Sequence, residues 1–333
     1  MDSPRATSGS RRARRARPRR RALLYVSLAT VAVVGVTAAG TVYVKAHARD
    51  NAVSSAASPS PSPSASASAS ASGETSVEPV TEPAVDRDAL LGSAMGKVTV
   101  PSGAKVSAAV LDLDSGDSAV YGDSAFDTAS IVKVDILATL LLQAQDAGRH
   151  LTATEKAYAT KMIENSDNTS ASELWDVIGK AAGLDAANKR FGLTGTEGGD
   201  GALWGLTQTT AADQLTLLQQ VFGDDSKLSS ASRAYVQGLM KTVESDQRWG
   251  VSAAADGSGF ALKNGWLARS TTGLWDVNSI GRVTAGGTDY LVAVLSKGTV
   301  SQAKGISLVE AAAKAAVGSF AESSEPASAA ASQ

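Results

Sequence analysis

Hydrophobic and polar positions follow two different periods along residues 86–319. Near both ends of this region, apolar residues form short runs bounded by Gly, Asp and Ser, which is the pattern of buried strands. Between the two ends they recur every three or four positions, as in amphipathic helices. The predicted strands are 105–113, 118–121, 260–268, 274–283 and 290–296. The predicted helices are 88–97, 130–147, 152–164, 172–182, 211–222 and 303–317.

Turn and cap signals connect these elements. Asp114-Ser115-Gly116-Asp117 predicts a hairpin between the first two strands, and Gly286-Gly287 predicts one between the last two. Thr152 and Glu155 have the spacing of a helix capping box. Strands at both ends with helices between them predict an α/β fold of the α+β type. We expect one antiparallel sheet, built from both ends of the domain, flanked by helices and carrying an all-helical subdomain.

The amino-terminal segment has a different composition. Residues 1–21 contain nine arginines, and residues 22–44 carry no charged side chain. An apolar helix of that length can cross a hydrocarbon core, and basic flanks stay on the cytoplasmic side. We interpret the two segments as a cytoplasmic tail and a transmembrane helix, with all later residues outside the cell. Two alternatives stay open: a nucleic-acid-binding arm, and a long signal peptide cleaved after Ala48, which would release a secreted protein.

Composition also sets limits on the rest of the chain. Residues 45–85 are rich in Ser, Ala and Pro and predict a disordered linker; residues 320–333 predict a disordered tail. Residues 50–333 contain 20 lysines and arginines against 32 acids, a net charge of −12 that disfavours nucleic acid as a partner. Cysteine is absent, which excludes disulfides and thiolate metal sites. No pattern calls for a metal or an organic cofactor.

Three short motifs carry the candidate chemistry. Ser130-Ile131-Val132-Lys133 places a hydroxyl and an amine on one face of a predicted helix start, a nucleophile beside a base. Ser166-Asp167-Asn168 lies between two predicted helices, where by itself it could be only a turn or cap. Lys263-Asn264-Gly265 lies inside a predicted strand, where a glycine often marks the close approach of a ligand or another backbone.

In this order, the motifs resemble the Ser-x-x-Lys, Ser-Asp-Asn and Lys-Thr-Gly set of class A β-lactamases and penicillin-binding D,D-peptidases. The resemblance covers residues 86–319 and departs from the family at Asn264, where Thr or Ser is usual. It implies a β-lactamase/transpeptidase-like fold. It also implies a serine hydrolase that acts on β-lactam or D-Ala-D-Ala amide bonds, with a β-lactam or a peptidoglycan stem peptide as its partner.

The resemblance assigns a role to each matching residue. Ser130 would be the acylated nucleophile, Lys133 its hydrogen-bonded base, and Ser166 the proton donor to the departing nitrogen. The backbone N–H groups of Ser130 and Trp266 would form the oxyanion hole. The implied substrate-binding residues are Asn168, Lys263, Asn264, Gly265 and Trp266, with Arg269 or Arg282 assisting. A Ser-His-Asp triad is not expected, because the domain has a single histidine, His150, next to a predicted helix end.

One expected feature of class A β-lactamases is missing. These enzymes carry a glutamate after the Ser-Asp-Asn motif that activates the deacylating water. Here residues 190–210 offer only Glu197 and Asp200, within a glycine-rich run. Glu197 is therefore either a displaced base or a solvated loop acid. We therefore expect acylation to be faster than deacylation. We also expect the protein to be a monomer that is attached to the cell membrane through residues 22–44. The alternative is a non-catalytic wall-binding or β-lactam-sensing domain on the same tether.

Overall fold

The computed structural model describes residues 85–321. Its strands are β1 (Lys105–Asp112), β2 (Ser118–Tyr121), β3 (Phe126–Asp127), β4 (Gln208–Thr209), β5 (Phe260–Ala268), β6 (Trp275–Ala285) and β7 (Thr288–Thr299). Its helices are α1 (Arg87–Met95), α2 (Val132–Asp146), α3 (Ala153–Glu164), α4 (Asn168–Val177), α5 (Lys180–Phe191), α6 (Ala211–Phe222), α7 (Ser230–Lys241) and α8 (Gln302–Ala321).

The predicted cytoplasmic tail, membrane helix and almost all of the linker lie outside the described residues. Within residues 85–321, no helix combines the length and the apolar character that a membrane crossing requires. Helix α8 ends at Ala321, inside the segment predicted to be a disordered tail.

Five strands form one sheet in the order β2-β1-β7-β6-β5, with every neighbouring pair antiparallel. The first and last long strands of the domain lie side by side, since β1 pairs with β7 from Lys105 opposite Lys297 to Asp112 opposite Tyr290. This arrangement confirms the predicted antiparallel sheet assembled from both ends of the domain. Strand β5 lies at one edge, and β3 and β4 form a separate short ladder.

Both faces of the sheet are covered by helices. Ala109 and Leu111 of β1 pack into a core with helices α2 to α7, whereas Ala108 and Val110 belong to a second core with α1 and α8. Successive residues of a strand point to opposite faces, so a strand buried on both sides has no polar alternation. The result is three layers, and the cleft described below lies where the α2–α7 block meets the sheet.

The structure corrects the helix predictions in three places. The single helix predicted over 172–182 is wrong: α4 and α5 are separated at Gly179, whose φ of +91° is left-handed and favours glycine. The helix predicted from 130 begins with a 3-10 turn, Ala129–Ile131, before α2. Helix α7 was not predicted, although Ser229 caps it by accepting from the Ser232 N–H.

Candidate active site

The nucleophile candidate lies on a strained turn. Ser130 is the middle residue of the 3-10 turn, and Ala129 before it has a φ of +48°, an uncommon value for a residue with a Cβ. The buried Asn278 of β6 holds this segment by donating from Nδ2 to the carbonyl oxygens of Asp127 at 2.9 Å and Thr128 at 3.0 Å. Strain of this kind persists only where surrounding contacts impose it. Asn278, a polar residue inside an apolar strand, is a positioning residue that the motif search missed.

Strand β5 lies directly against the backbone of the Ser130 turn at Gly265. A Cβ on Gly265 would lie 2.7 Å from the Ser130 nitrogen and 2.8 Å from both the Ile131 nitrogen and the Thr128 oxygen. These atoms are all backbone and cannot yield, so the approach requires glycine. It brings the β5 backbone around Trp266 next to Ser130, the two positions predicted for the oxyanion hole.

Lys133 is fully buried, with none of its surface exposed. Its Nζ donates to the Ser166 carbonyl oxygen at 2.7 Å, to Ser166 Oγ at 3.1 Å and to Asn168 Oδ1 at 2.8 Å. An ammonium has three donors, and these bonds use all of them. The expected hydrogen bond between Ser130 and Lys133 is therefore not formed in this state.

Lys263 enters the same site from β5. It is also fully buried, and its Nζ donates to Ser166 Oγ at 3.0 Å and to the Asn264 carbonyl oxygen at 3.0 Å. The Ser166 hydroxyl oxygen thus accepts hydrogen bonds from both Lys133 and Lys263. Ser166 has a φ of +55°, which makes it a second strained residue in the cleft.

The Ser-Asp-Asn motif also starts helix α4. Asp167 caps the helix by accepting from the Ser170 N–H at 2.7 Å. Hydrogen bonding from the Ser170 side chain, and then from its backbone N–H, holds the pKa of Asp167 below its usual range. Asn168 is the first helical residue, and its side chain reaches Lys133. The motif therefore caps a helix and also contacts the buried amine of Lys133.

Burial dominates the electrostatics of the two lysines. Desolvation lowers the pKa of Lys133 to about 7, against a smaller opposing effect of the Asp167 charge. Desolvation, and then the charge of Lys133, lower the pKa of Lys263 well below its usual value. Among residues 85–321, neither ammonium has a carboxylate within ion-pair distance. The arrangement provides an amine that can be neutral near pH 7 and can act as a base.

Asn264 does not fit its predicted substrate-binding role. Its Nδ2 donates to the carbonyl oxygens of Gln247 at 2.7 Å and Trp249 at 2.9 Å, and its buried Oδ1 has no partner in the part of the chain that the structure describes. Asn264 follows Lys263 in an extended strand, so the two side chains point to opposite faces. The amide anchors the 3-10 segments Ser245–Gln247 and Gly250–Ala254 rather than facing the cleft.

Glu197 also lies apart from the lysines. Its backbone pairs with Gln208, and its exposed side chain lines a separate cavity of about 260 Å³ that neither Ser130 nor Lys133 borders. Instead, the ring of Trp204 covers Lys133, with Nζ 4.9 Å from the ring centroid, while the indole N–H donates to Ser172 Oγ at 3.1 Å. Sequence reasoning missed Trp204, because no local signal places an indole over this amine.

Each candidate arginine forms an ion pair with an aspartate. Arg269 pairs with Asp127, and Arg282 pairs with Asp289 at 3.3 Å. No group of three or more His, Asp or Glu side chains within residues 85–321 could hold a metal ion.

The fold and this cluster of serine hydroxyls and buried amines are those of a serine hydrolase. The model of the β-lactamase enzyme family matches residues 147–320, and the chain belongs to that family. It is a β-lactamase-like serine hydrolase.

Solved structures of this family share the fold. An acyl-enzyme complex of a PBP-A mutant with penicillin G is 22% identical, with a TM-score of 0.60 over 70% of this chain and 97% of that one. A β-lactamase from Chitinophaga pinensis DSM 2588 is 16% identical, with a TM-score of 0.58 over 69% and 98%. The TLA-3 extended-spectrum β-lactamase is 15% identical, with a TM-score of 0.61 over 69% and 97%. No curated protein matches the sequence.

Proposed function

We propose that this chain is an exported, membrane-anchored serine hydrolase that is acylated at Ser130 by β-lactams or by peptides ending in D-Ala-D-Ala. The observation that carries the proposal is the convergence of two buried lysines on the Ser166 hydroxyl, beside the strained turn of Ser130. Both substrate classes present a carboxylate near the scissile amide, and that charge would complement the lysines. The similarly folded PBP-A mutant in its acyl-enzyme complex with penicillin G supports the same chemistry.

In acylation, neutral Lys133 accepts the Ser130 proton while Ser130 Oγ bonds to the substrate carbonyl carbon. The backbone N–H groups of Ser130 and Trp266 stabilise the oxyanion. The carbon–nitrogen bond then breaks. Ser166 donates its proton to the departing nitrogen and regains one from Lys133, to which it is hydrogen-bonded. The products are an ester at Ser130 and an amine, which in a β-lactam stays attached through the opened ring.

Slow deacylation is part of the proposal. Hydrolysis of the ester needs a base that holds a water molecule near Ser130, and the exposed Glu197 lines a different cavity. The indole of Trp204 covers one side of Lys133 and excludes water there. These two features favour a persistent acyl-enzyme over rapid turnover. Residues 1–21 and 22–44 would anchor the protein in the cell membrane, and the linker of residues 45–85 would hold the hydrolase outside the cell.

Intact-mass spectrometry of the full-length chain with benzylpenicillin tests this proposal, with Ser130→Ala as the control. We expect a stable adduct with the mass of the whole antibiotic, absent from the variant. A Ser130-dependent ring-opened product without an adduct would establish acylation but refute slow deacylation. Neither adduct nor product would refute the proposal for penicillins and would favour the non-catalytic binding domain.

A further inference from the structure

A cavity lies on the side of the sheet opposite Ser130. It has a volume of about 690 Å³ and lies between the end of α1, residues 97–101 and helix α8. This volume is within the range of about 300–1,000 Å³ typical of small-molecule sites. Since α1 and α8 pack in the core on the far face of the sheet, the groove is separate from the hydrolase cleft.

The floor of the groove is apolar and runs along α8. Leu308, Ala311, Ala315 and Gly318 line it at spacings of three and four residues, which place them on one face of the helix. From Lys304 to Gly318 the helix advances roughly 20 Å at its usual rise per residue. The small side chains leave the space open: a Cβ on Gly318 would meet no atom within 4 Å.

The rim of the groove is basic. Lys97, Lys304 and Lys314 line it together with no acidic residue. Among residues 85–321, none of the three ammonium groups forms an ion pair or a hydrogen bond, and Glu310, one turn before Lys314, does not pair with it. The same part of the chain contains 26 acids against 20 lysines and arginines, so the groove is a basic site on an acidic domain.

We infer that this groove binds a single amphiphile that has an alkyl chain and an anionic phosphate head group. The chain would lie along the apolar face of α8, where its burial supplies most of the affinity. The head group would lie among the three lysines, which select a phosphate over a neutral or zwitterionic head. A groove of this length suits one extended molecule rather than the surface of a bilayer.

Lysine-reactivity mass spectrometry tests this inference on the full-length chain held in phosphatidylcholine nanodiscs. An amine-acylating reagent is applied with and without monomeric octyl phosphate, and the modification of each lysine is quantified. We expect the ligand to slow modification of Lys97, Lys304 and Lys314 at least threefold. Three exposed lysines outside the groove, Lys156, Lys189 and Lys227, serve as references and should change by less than 1.5-fold. Octyl phosphocholine, with the same chain and no net charge, should protect several-fold less.

A matched pair of glycine variants makes the test specific. Gly318→Leu fills the groove, and Gly238→Leu adds the same side chain to α7, where a Cβ also meets no atom within 4 Å. Protection should vanish in the first variant and persist in the second. Equal protection of all lysines, or protection that survives Gly318→Leu, would refute the site. The inference would also fail if octyl phosphate had no effect while deletion of residues 322–333 exposed the three lysines, because the occupant would then be the chain's own tail.

Discussion

The two faces of the central sheet differ in the residues that they bury and in their backbone strain. On the cleft face, two lysines are buried without a carboxylate partner, and Ala129 and Ser166 hold left-handed backbone angles. On the far face, aliphatic residues of β7 pack against aliphatic residues of α8. Within residues 85–321, no buried side-chain nitrogen or oxygen of α1 or α8 lacks a hydrogen-bond partner. The two buried lysines and the strained residues Ala129 and Ser166 therefore lie on the face that carries the chemistry, and the largely apolar far face stabilises the sheet that holds them.

The largest expected effect is at Gly265, where the cleft face has no room for a methyl group. In Gly265→Ala, the new Cβ would lie less than 3 Å from three backbone atoms of the nucleophile's turn. We therefore expect the acylation rate to fall at least 100-fold. The free energy of unfolding should fall by about 1–3 kcal/mol. Stopped-flow acylation and urea unfolding measure the two effects. Gly238→Ala, at an open helical position, is the control and should alter neither activity nor stability adversely.

The next largest effect is on the pH dependence of acylation. Lys133 acts as a base only when neutral, and burial lowers its pKa to about 7. The acylation rate should therefore rise with pH through about 7 and then level off. At pH 5 it should be roughly 100-fold below the plateau, since each pH unit below the pKa reduces the neutral fraction about tenfold. Rates measured from pH 5 to 9 give the midpoint. A rate that does not depend on pH would mean that Lys133 is not the base, and a midpoint near 10 would mean that burial does not lower its pKa.

Asn278 should have an intermediate effect, because it holds the nucleophile's turn without touching the substrate. Asn278→Leu keeps the volume but leaves the Asp127 and Thr128 carbonyl oxygens without their donor. We expect a loss of roughly 2–4 kcal/mol in unfolding free energy and a drop of about tenfold in acylation rate. The pH midpoint should stay unchanged, and a shifted midpoint would show that Asn278 acts on Lys133 instead.

The smallest effect on activity should come from the far face. A Cβ on Gly305 of α8 would lie 2.3 Å from Val277 Cγ2, so Gly305→Ala should cost about 1–3 kcal/mol of stability. Because this contact lies on the face of the sheet opposite the cleft, the acylation rate of the folded protein should change less than twofold. Thermal unfolding and acylation measured on the same sample test the separation. A loss of activity as large as that of Gly265→Ala would show that the two faces are coupled.

Local signals were enough for much of the fold. Strand β5 and helix α6 have the predicted bounds, and the capping box of Thr152 and Glu155 is formed as expected. These elements are governed by periodicity, caps and turns, which neighbouring residues determine. The break between α4 and α5 was missed, although Gly179 marked it, because apolar spacing continues across the glycine.

The sequence by itself determined which residues could do acyl-transfer chemistry. It also indicated the order in which they lie in helix, loop and strand. Only the tertiary structure decided how they meet. It brought Lys133 and Lys263 to one hydroxyl, turned the Asn264 amide away from the cleft, and covered Lys133 with Trp204 rather than with a glutamate. The physical reason is that residue type and local spacing are properties of short segments. Burial, pKa and side-chain direction depend instead on contacts between residues far apart in the chain.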